Sequence, residues 1–354
     1  MTTTAPGSGG QMSKKHRSRW IELLSFRNIS AIYIFLIILL IFGLLIPDTF
    51  LSGSVWRTML DGQVPTALAA LAVLIPLVTG NFNLAVGAEV GFAGIMVATL
   101  ISKLGLPFQL AIVISLCLGA LIGLVSGLII TKARIDSFIA TLGLSSVLLA
   151  GIAWISGSRQ ILNLGQDFRQ LAATEILGVT LPFIILIAMA FLLWYLLERT
   201  PVGRRMYATG YNKEGAQLSG IPTTRLIIGS LMLGGAVAAL AGILLTARIN
   251  VGDPLAGPSL LLPALSAVFL GSTQFRGGRF NVWGTILAVY VLATGVKGLQ
   301  LMGAPNWITD MFNGLALLLA VGFAKFERGA RGAAIRRAIF RRRARAEATA
   351  QETA

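Results

Sequence analysis

The chain has 354 residues, 55% of them apolar and only 12% charged, with a mean hydropathy of +0.80. A soluble domain carries about 25% charged residues, so this composition excludes a water-soluble globule and makes lipid the main solvent. The formal net charge of +15 does not indicate nucleic acid, because the basic residues sit at the two ends and in short loops between apolar runs, where they fix orientation in a membrane.

Residues 1–10 (MTTTAPGSGG) are small and polar and read as a disordered tail. Lys14, Lys15, Arg17 and Arg19 follow, so 1–28 form a basic tail. A span needs ~20 mostly apolar residues. The predicted spans are 29–46, 64–79, 84–102, 107–131, 138–156, 181–197, 223–247, 259–271, 282–302 and 307–323, which together make one transmembrane domain over 29–323. An amphipathic stretch, 51–63, separates the first two. A polar segment, 157–180, precedes the sixth, and the longest basic interruption, 198–222, precedes the seventh. No small-residue cleavage site follows the first run, which is therefore expected to be a true span. The fold class is all-α and polytopic, with about ten transmembrane helices.

Placing the basic N-terminal tail in the cytoplasm puts Lys132, Arg134, Arg199, Arg204, Arg205, Lys213, Arg225, Arg276 and Arg279 inside, with the Arg-rich tail 324–354. Only Arg57, Lys103, Arg159, Arg169 and Arg248 fall outside. Ten spans with both termini cytoplasmic satisfy the positive-inside rule; nine or eleven do not. The C-terminal tail is expected to anchor on anionic lipid, at up to ~1 kcal/mol per basic residue.

Spans two to five and seven to ten have opposite orientations in this scheme, which suggests an inverted repeat. The loop after span two reads Gly80-Asn-Phe-Asn-Leu-Ala-Val-Gly87, and the loop after span seven reads Asn250-Val-Gly-Asp-Pro-Leu-Ala-Gly257. Paired breaks of this kind point to a transport pathway. The pathway candidates are Asn81, Asn83, Glu89, Asn250 and Asp253. Glu89 is open to three readings: a functional intramembrane acid, an acid in contact with water at the end of span three, or the partner of a basic loop residue. Lys297 and Asp310 are similarly open, including a pairing between them.

The 198–222 segment reads ERTPVGRRMYATGYNKEGAQLSGIP. The residues predict a helical stretch over 202–207, a break at Gly210, a second stretch over 212–219 capped by Asn212, and a sharp exit through Gly220-Ile-Pro222. It reads either as a solvated connector or as a coupling helix that fits a groove on a cytoplasmic ATPase.

Residues 200–221 resemble the cytoplasmic loop of bacterial sugar-type ABC importer permeases, the ribose/xylose/arabinose/galactose group related to the branched-chain amino acid permeases, whose pattern is T-P-x-G-R-x-x-Y-A-x-G-x-N-x-x-A-A-x-x-S-G-I. ARIDSFIATLG (133–143) is similar to that family's K-I-P-S-F-I-x-T-L-G. AVFLGSTQFRGGRFNVWG (267–284) is similar to its A-x-V-x-L-G-G-T-S-x-x-G-G-x-G-x-x-x-G, and Pro305, Trp307 and Gly314 fit its ending. The sequence departs from the family where G-x-D-L-S-V-G is usual: Asn83 stands for the acid and Ala85 for the serine, and Glu89 lies where an apolar residue is usual.

The resemblance implies a permease subunit in the bacterial inner membrane that moves a monosaccharide or small polyol by alternating access. Its partners would be a cytoplasmic ABC ATPase, an extracytoplasmic sugar-binding protein and a second permease copy. It also implies a coupling role for 199–222: Arg204 and Arg205 orient the segment, Glu214 and Gln217 contact the ATPase, Gly210 and Gly220 permit the turns, and Tyr207 and Ser219 belong to the same element. No G-x-x-x-x-G-K-[ST] motif occurs in the chain, so no ATPase site is expected here and ATP and Mg would be bound by the partner. Cys117 and His16 are the only residues of their kinds, which excludes a disulfide framework, a metal cluster of these residues and a histidine triad. The alternatives are an ion-coupled secondary transporter and an ABC permease for amino acids or nucleosides.

Overall fold

In the computed structural model the described residues are 30–322, apart from 177 and 275–278. The tails at 1–28 and 324–354 lie outside them, as does Arg276. The described chain is almost wholly helical. Six helices are long and apolar enough to cross a membrane, and four more are apolar but shorter. By length and composition alone, six of the ten predicted spans are accounted for.

Helix α1 (Ser30–Leu45) is apolar on every face, and a single turn at Pro47–Phe50 ends it. Helix α2 (Gly53–Gly62) runs directly into α3 (Val64–Val78). The backbone bonds Gln63 N to Met59 O (3.1 Å) and Ala67 N to Gln63 O (2.8 Å) carry the helix across the junction. The amphipathic stretch 51–63 is thus mostly the first turns of a longer helix. Pro65 removes one donor there without stopping the helix, because other bonds span it. Every residue of α3 is buried.

Helices α4 (Val86–Ser102), α5 (Phe108–Lys132) and α6 (Ser137–Ser156) follow. Asp136 caps α6 by accepting from Phe138 N (2.8 Å), and Gly157 ends it in the left-handed region. The polar segment 157–180 holds a short helix, α7 (Gln166–Ala173), and a two-stranded hairpin of β1 (Glu175–Ile176) and β2 (Val179–Thr180). Helix α8 (Leu181–Trp194) closes in a π turn, Tyr195–Arg199. Two shorter helices, α9 (Pro201–Tyr211) and α10 (Lys213–Leu218), lead to α11 (Thr223–Ile249). A 3-10 turn, Pro258–Leu260, opens α12 (Leu261–Gln274), and α13 (Val282–Leu301) and α14 (Trp307–Gly322) complete the bundle.

Helix α11 is the main packing partner of α3, α4 and α5, and α12 and α13 pack on each other and on α3. The closeness comes from small residues, which let helix backbones touch where no hydrophobic driving force separates lipid from protein. A methyl at Gly235 of α11 would lie 2.2 Å from Gly119 O of α5, and one at Gly242 would lie 2.1 Å from Val90 O of α4. Between α12 and α13, a methyl at Gly271 would lie 2.6 Å from Gly284 O. Large apolar side chains of α6 and α14, such as Val147, Trp154, Leu315 and Leu318, face outward.

Candidate functional site

The interrupted segment after α3 is held by side chains from two other helices. Phe82 N donates to Ser137 Oγ (3.2 Å) and Leu84 N to Thr141 Oγ1 (3.1 Å), both on α6. The Thr79 and Ser230 hydroxyls, from the end of α3 and from α11, lie 3.2 Å apart. Asn81 Nδ2 bonds back to Thr79 O (3.2 Å), and Asn83 Oδ1 accepts from Ala85 N (3.1 Å). Non-helical backbone survives inside a membrane protein only when its donors are satisfied in this way. The fixed register aims Asn83 at Glu89, its Nδ2 lying 3.2 Å and 3.3 Å from the two carboxylate oxygens. Glu89 is 1% exposed, away from water, and among the described residues its side-chain partner is Asn83. The first turns of α4 bury Glu89 against the bundle interior.

The segment 200–221 folds as predicted in outline and differs at one glycine. Thr200 caps α9 by accepting from Gly203 N (3.2 Å), and Asn212 caps α10 by accepting from Gly215 N (2.9 Å). Gly220 has φ +77°, the left-handed turn expected of it. Gly210 does not make a turn: α9 runs through it, and the break falls at Asn212. Its lack of a side chain serves close approach instead. A methyl there would lie 2.3 Å from Val78 O and 3.1 Å from Gly80 N, so the backbone of α9 rests on the end of α3.

Tyr207 makes a second connection. Its hydroxyl donates to Phe280 O (2.7 Å), and the Arg279 guanidinium lies 3.6 Å from its ring centroid. Burial pushes the Tyr207 phenol above its ordinary value, against the opposing pull of the Arg279 charge. From Phe280 a line of aromatic contacts returns to the break: Phe280–Phe269 at 5.9 Å, Phe269–Phe82 at 6.4 Å and Phe82–Phe138 at 6.5 Å between centroids. All lie in the favourable range for aromatic pairs. Helix α9 therefore touches the turn after α3 and the segment before α13, and Phe269 of α12 links the aromatic rings of the two.

Helix α10 walls a cleft of about 690 Å³ lined by Asn81, Arg134, Asp136, Ser137, Lys213, Glu214, Gln217 and Thr224, among others. Gln217 Nε2 also donates to Thr223 Oγ1 (2.8 Å), and Ser219 Oγ to Gly215 O (2.9 Å). Arg204 and Arg205 are exposed on α9. Sequence reasoning missed Leu218, 91% exposed at the end of α10, and Tyr211, exposed at the end of α9. Two exposed apolar side chains on a polar hairpin were the available signal.

The second break lies at the opposite end of the bundle. Asn250 ends α11 in the left-handed region (φ +54°), and its buried Oδ1 has no partner among the described residues. Asp253 Oδ1 accepts from Leu255 N (2.9 Å) and its Oδ2 from Gln160 Nε2 (3.3 Å), while Gly252 and Ile161 form a two-bond bridge. Asn250 and Asp253 are not brought to Asn83 and Glu89. The break returns toward them at its far end, where a methyl at Gly257 would lie 2.2 Å from Gly91 N of α4 and one at Gly87 would lie 3.2 Å from Pro258. Lys297 and Asp310, on α13 and α14, form no ion pair with each other or with any other described residue.

The family described as branched-chain amino acid transport system, permease component, matches residues 62–321. The ribose import permease protein RbsC of Bacillus subtilis is 34% identical over 288 residues, covering 81% of this chain and 89% of that protein. The autoinducer 2 import system permease protein LsrD of Salmonella typhimurium is 30% identical over 289 residues, covering 80% and 86%. The fructose import permease protein FrcC of Rhizobium meliloti is 30% identical over 303 residues, covering 82% and 83%. No solved structure matches the chain.

Proposed function

Because the chain belongs to the family of permease components matched over 62–321, and is a permease subunit of ABC importer type, we propose that its cargo is a monosaccharide or a related small polyol. The relatives are named for the import of ribose, fructose and autoinducer 2, and the polar groups at the two breaks, the amides of Asn81, Asn83 and Asn250 beside the carboxylates of Glu89 and Asp253, can hydrogen-bond a hydroxyl-rich solute.

In this reading the four shorter apolar helices join the six long ones as ten spans in the bacterial inner membrane, with both termini and α9–α10 cytoplasmic. The paired packing of α4 on α11 and of α12 on α3 is what an inverted repeat of spans two to five and seven to ten gives. A cytoplasmic ATPase, which binds ATP and Mg, grips Tyr211 at the end of α9 and Leu218 at the end of α10, together with Lys213, Glu214 and Gln217. An extracytoplasmic binding protein delivers the sugar to the opposite mouth. A second permease copy covers the outward apolar faces of α6 and α14, and the Arg-rich tail rests on anionic lipid.

The observation that carries the mechanism is the seating of α9 on two turns at once, by Gly210 on Val78 and Gly80 and by Tyr207 on Phe280. A push on α10 reaches α9 through the Asn212 junction. It then reaches the Asn81–Asn83 break and the α12–α13 turn together, without crossing a flexible linker. Closure of the ATPase and arrival of the sugar then bias one two-state element from its two ends.

The test reconstitutes the chain with its cognate ATPase and binding protein in liposomes and measures ATP-dependent uptake of a panel of labelled monosaccharides and polyols. Leu218→Asp should release the ATPase from the complex, because it places an unpaired charge in a desolvated contact, while membrane insertion is unchanged. Uptake driven by an ion gradient without the ATPase would instead establish a secondary transporter. ATP-driven uptake confined to amino acids or nucleosides would overturn the choice of cargo.

A further inference from the structure

Helix α1 shows what a face made for lipid looks like in this chain. Its exposed side chains, Leu36, Ile37, Leu40, Ile41, Leu44 and Leu45, are all aliphatic. The outward face of α14 differs at one end. Trp307, Met311, Leu315 and Leu318 make an apolar stripe, and Asp310, also exposed, interrupts it. Residues three apart on a helix are neighbours, so the Asp310 carboxylate and the Trp307 indole share that face. The Trp307 side chain is 60% exposed, and neither side chain has a hydrogen bond, ring contact or ion pair with a described residue.

The pair stands at the end of the bundle opposite α9–α10. Thr309 and Asp310 border a cavity of about 240 Å³ with Gln63 and Thr66 at the start of α3 and with Asn313 of α14, whereas α9 rests on the end of α3. Trp154 is 85% exposed at the matching end of α6, whose other end bonds the break after α3 through Ser137.

Tryptophans anchor the ends of spans in the headgroup layer, and an acid near the start of a helix suits its dipole. Each of these roles accounts for one residue alone. Neither accounts for a bare carboxylate on the face that meets the second copy in the reading above. Between two copies, a carboxylate without a cationic partner is stable only beside water or a solute that donates to it. An indole next to such a carboxylate is a receptor of two parts. The π face takes C–H groups, and the two carboxylate oxygens accept from neighbouring hydroxyls. An anion is repelled by Asp310. A cation is disfavoured by Arg248 and Lys297, which line the adjoining groove that shares Thr309. A neutral ring with C–H groups on one side and hydroxyls at its edge fits both parts.

We propose that Trp307 and Asp310 make a cargo contact at the outer mouth between two copies of the chain, Trp307 stacking on the C–H side of a monosaccharide and Asp310 accepting from its hydroxyls, with Trp154 walling the same mouth. The proposal rests on the import reading above and on α14 facing the second copy.

The test uses the complete importer in liposomes, with variants matched for membrane level by immunoblot. With Cys117, the chain's one cysteine, replaced by Ser, Trp307→Cys should react with a membrane-impermeant methanethiosulfonate applied from the binding-protein side. Leu40→Cys, on the lipid face of α1, should not react. Uptake per ATP hydrolysed is then measured for the sugar most actively taken up in the panel and for its single-deoxy derivatives. Trp307→Ala should lower it about five-fold for the parent sugar, and Trp307→Phe, which keeps a π face, should restore most of the loss. Asp310→Leu should lower it about ten-fold for the parent sugar and much less for the derivative that lacks the bound hydroxyl. Equal losses across the whole series, or no reaction at position 307, overturn the site and leave the import reading intact. A complex that takes up no monosaccharide overturns the import reading, and the site falls with it.

Discussion

Replacing Gly210 by Ala tests the contact on which coupling depends. The added methyl would stand 2.3 Å from Val78 O, whereas ordinary contact begins near ~3.4 Å, so α9 and the end of α3 must separate by about 1 Å. Overpacking of this kind costs about 1–3 kcal/mol. Alanine returns about 0.5–1 kcal/mol, because it stiffens the helix that Gly210 interrupts energetically. The net penalty on the seated arrangement spans about 0–2.5 kcal/mol, and at about 1–2 kcal/mol it lowers the ratio of seated to lifted α9 by a factor of roughly 5–30. The cheapest relief is for the last turn of α9 to lift off the end of α3 while Met206 and Tyr207 stay buried in the core. Reconstituted Gly210→Ala should thus hydrolyse ATP at a rate near that of the parent and import roughly 5–30-fold less sugar per ATP. Gly229→Ala, a helical glycine with no atom within 4 Å of the added carbon, should leave that ratio unchanged. A parental ratio of uptake to hydrolysis in Gly210→Ala would refute the claim that α9 acts through its contact with Val78.

Three further outcomes follow from the packing. Glu89→Leu should lower the thermal stability of the detergent-solubilised protein by the equivalent of about 1–3 kcal/mol, because the buried Asn83 amide loses its acceptor. Glu89→Gln keeps an acceptor and should lose less; equal losses would refute the role of the hydrogen bond. Gly235→Val should fail to accumulate in the membrane, since even a methyl there meets Gly119 O at 2.2 Å, whereas Gly143→Val, which has open space, should accumulate normally on a membrane immunoblot. Tyr207 gives an alkaline signature. Its phenol holds its proton more tightly when folded, so its contribution to stability is complete below the ordinary value near pH ~10 and is lost as pH rises through the higher folded value. Tyr207→Phe should abolish that alkaline component of thermal unfolding and cost about 1 kcal/mol at neutral pH through the lost bond to Phe280.

The positions of the helices were readable because apolar runs and their stop signals are local. The starts at Val282 and Trp307 fall where Asn281 and the Pro305-containing turn place them, and the caps at Thr200, Asn212 and Asp136 are properties of neighbouring residues. The junction at 62–65 was misread because polar Asp61 and Gln63 and helix-breaking Pro65 suggest an ending, while buried packing and i to i+4 bonds sustain the helix. At Gly210 the sequence shows a glycine but not whether it turns the chain or admits another backbone. That distinction depends on Val78, 132 residues away. Similarly, Ser137 and Thr141 look like ordinary helix residues until the break is placed beside them. Thr66 and Asn313 carry no local pattern at all; only the fold makes them neighbours of one cavity.

The complete burial of α3 has a consequence for how the protein is made. Its covering helices α11, α12 and α13 begin at Thr223, Leu261 and Val282, so α3 enters the membrane well before they are synthesised. At ~5–20 residues per second, the ribosome reaches Thr223 about 7–30 s after it passes Val78. Throughout that interval the helix is wrapped in acyl chains rather than protein. A segment that touches no lipid in the finished molecule must therefore be soluble in lipid on every side, which accounts for the unbroken apolar run from Ala67 to Val78. Assembly of the bundle is then an exchange of one apolar wrapping for another, and the small residues of α11 decide which is preferred.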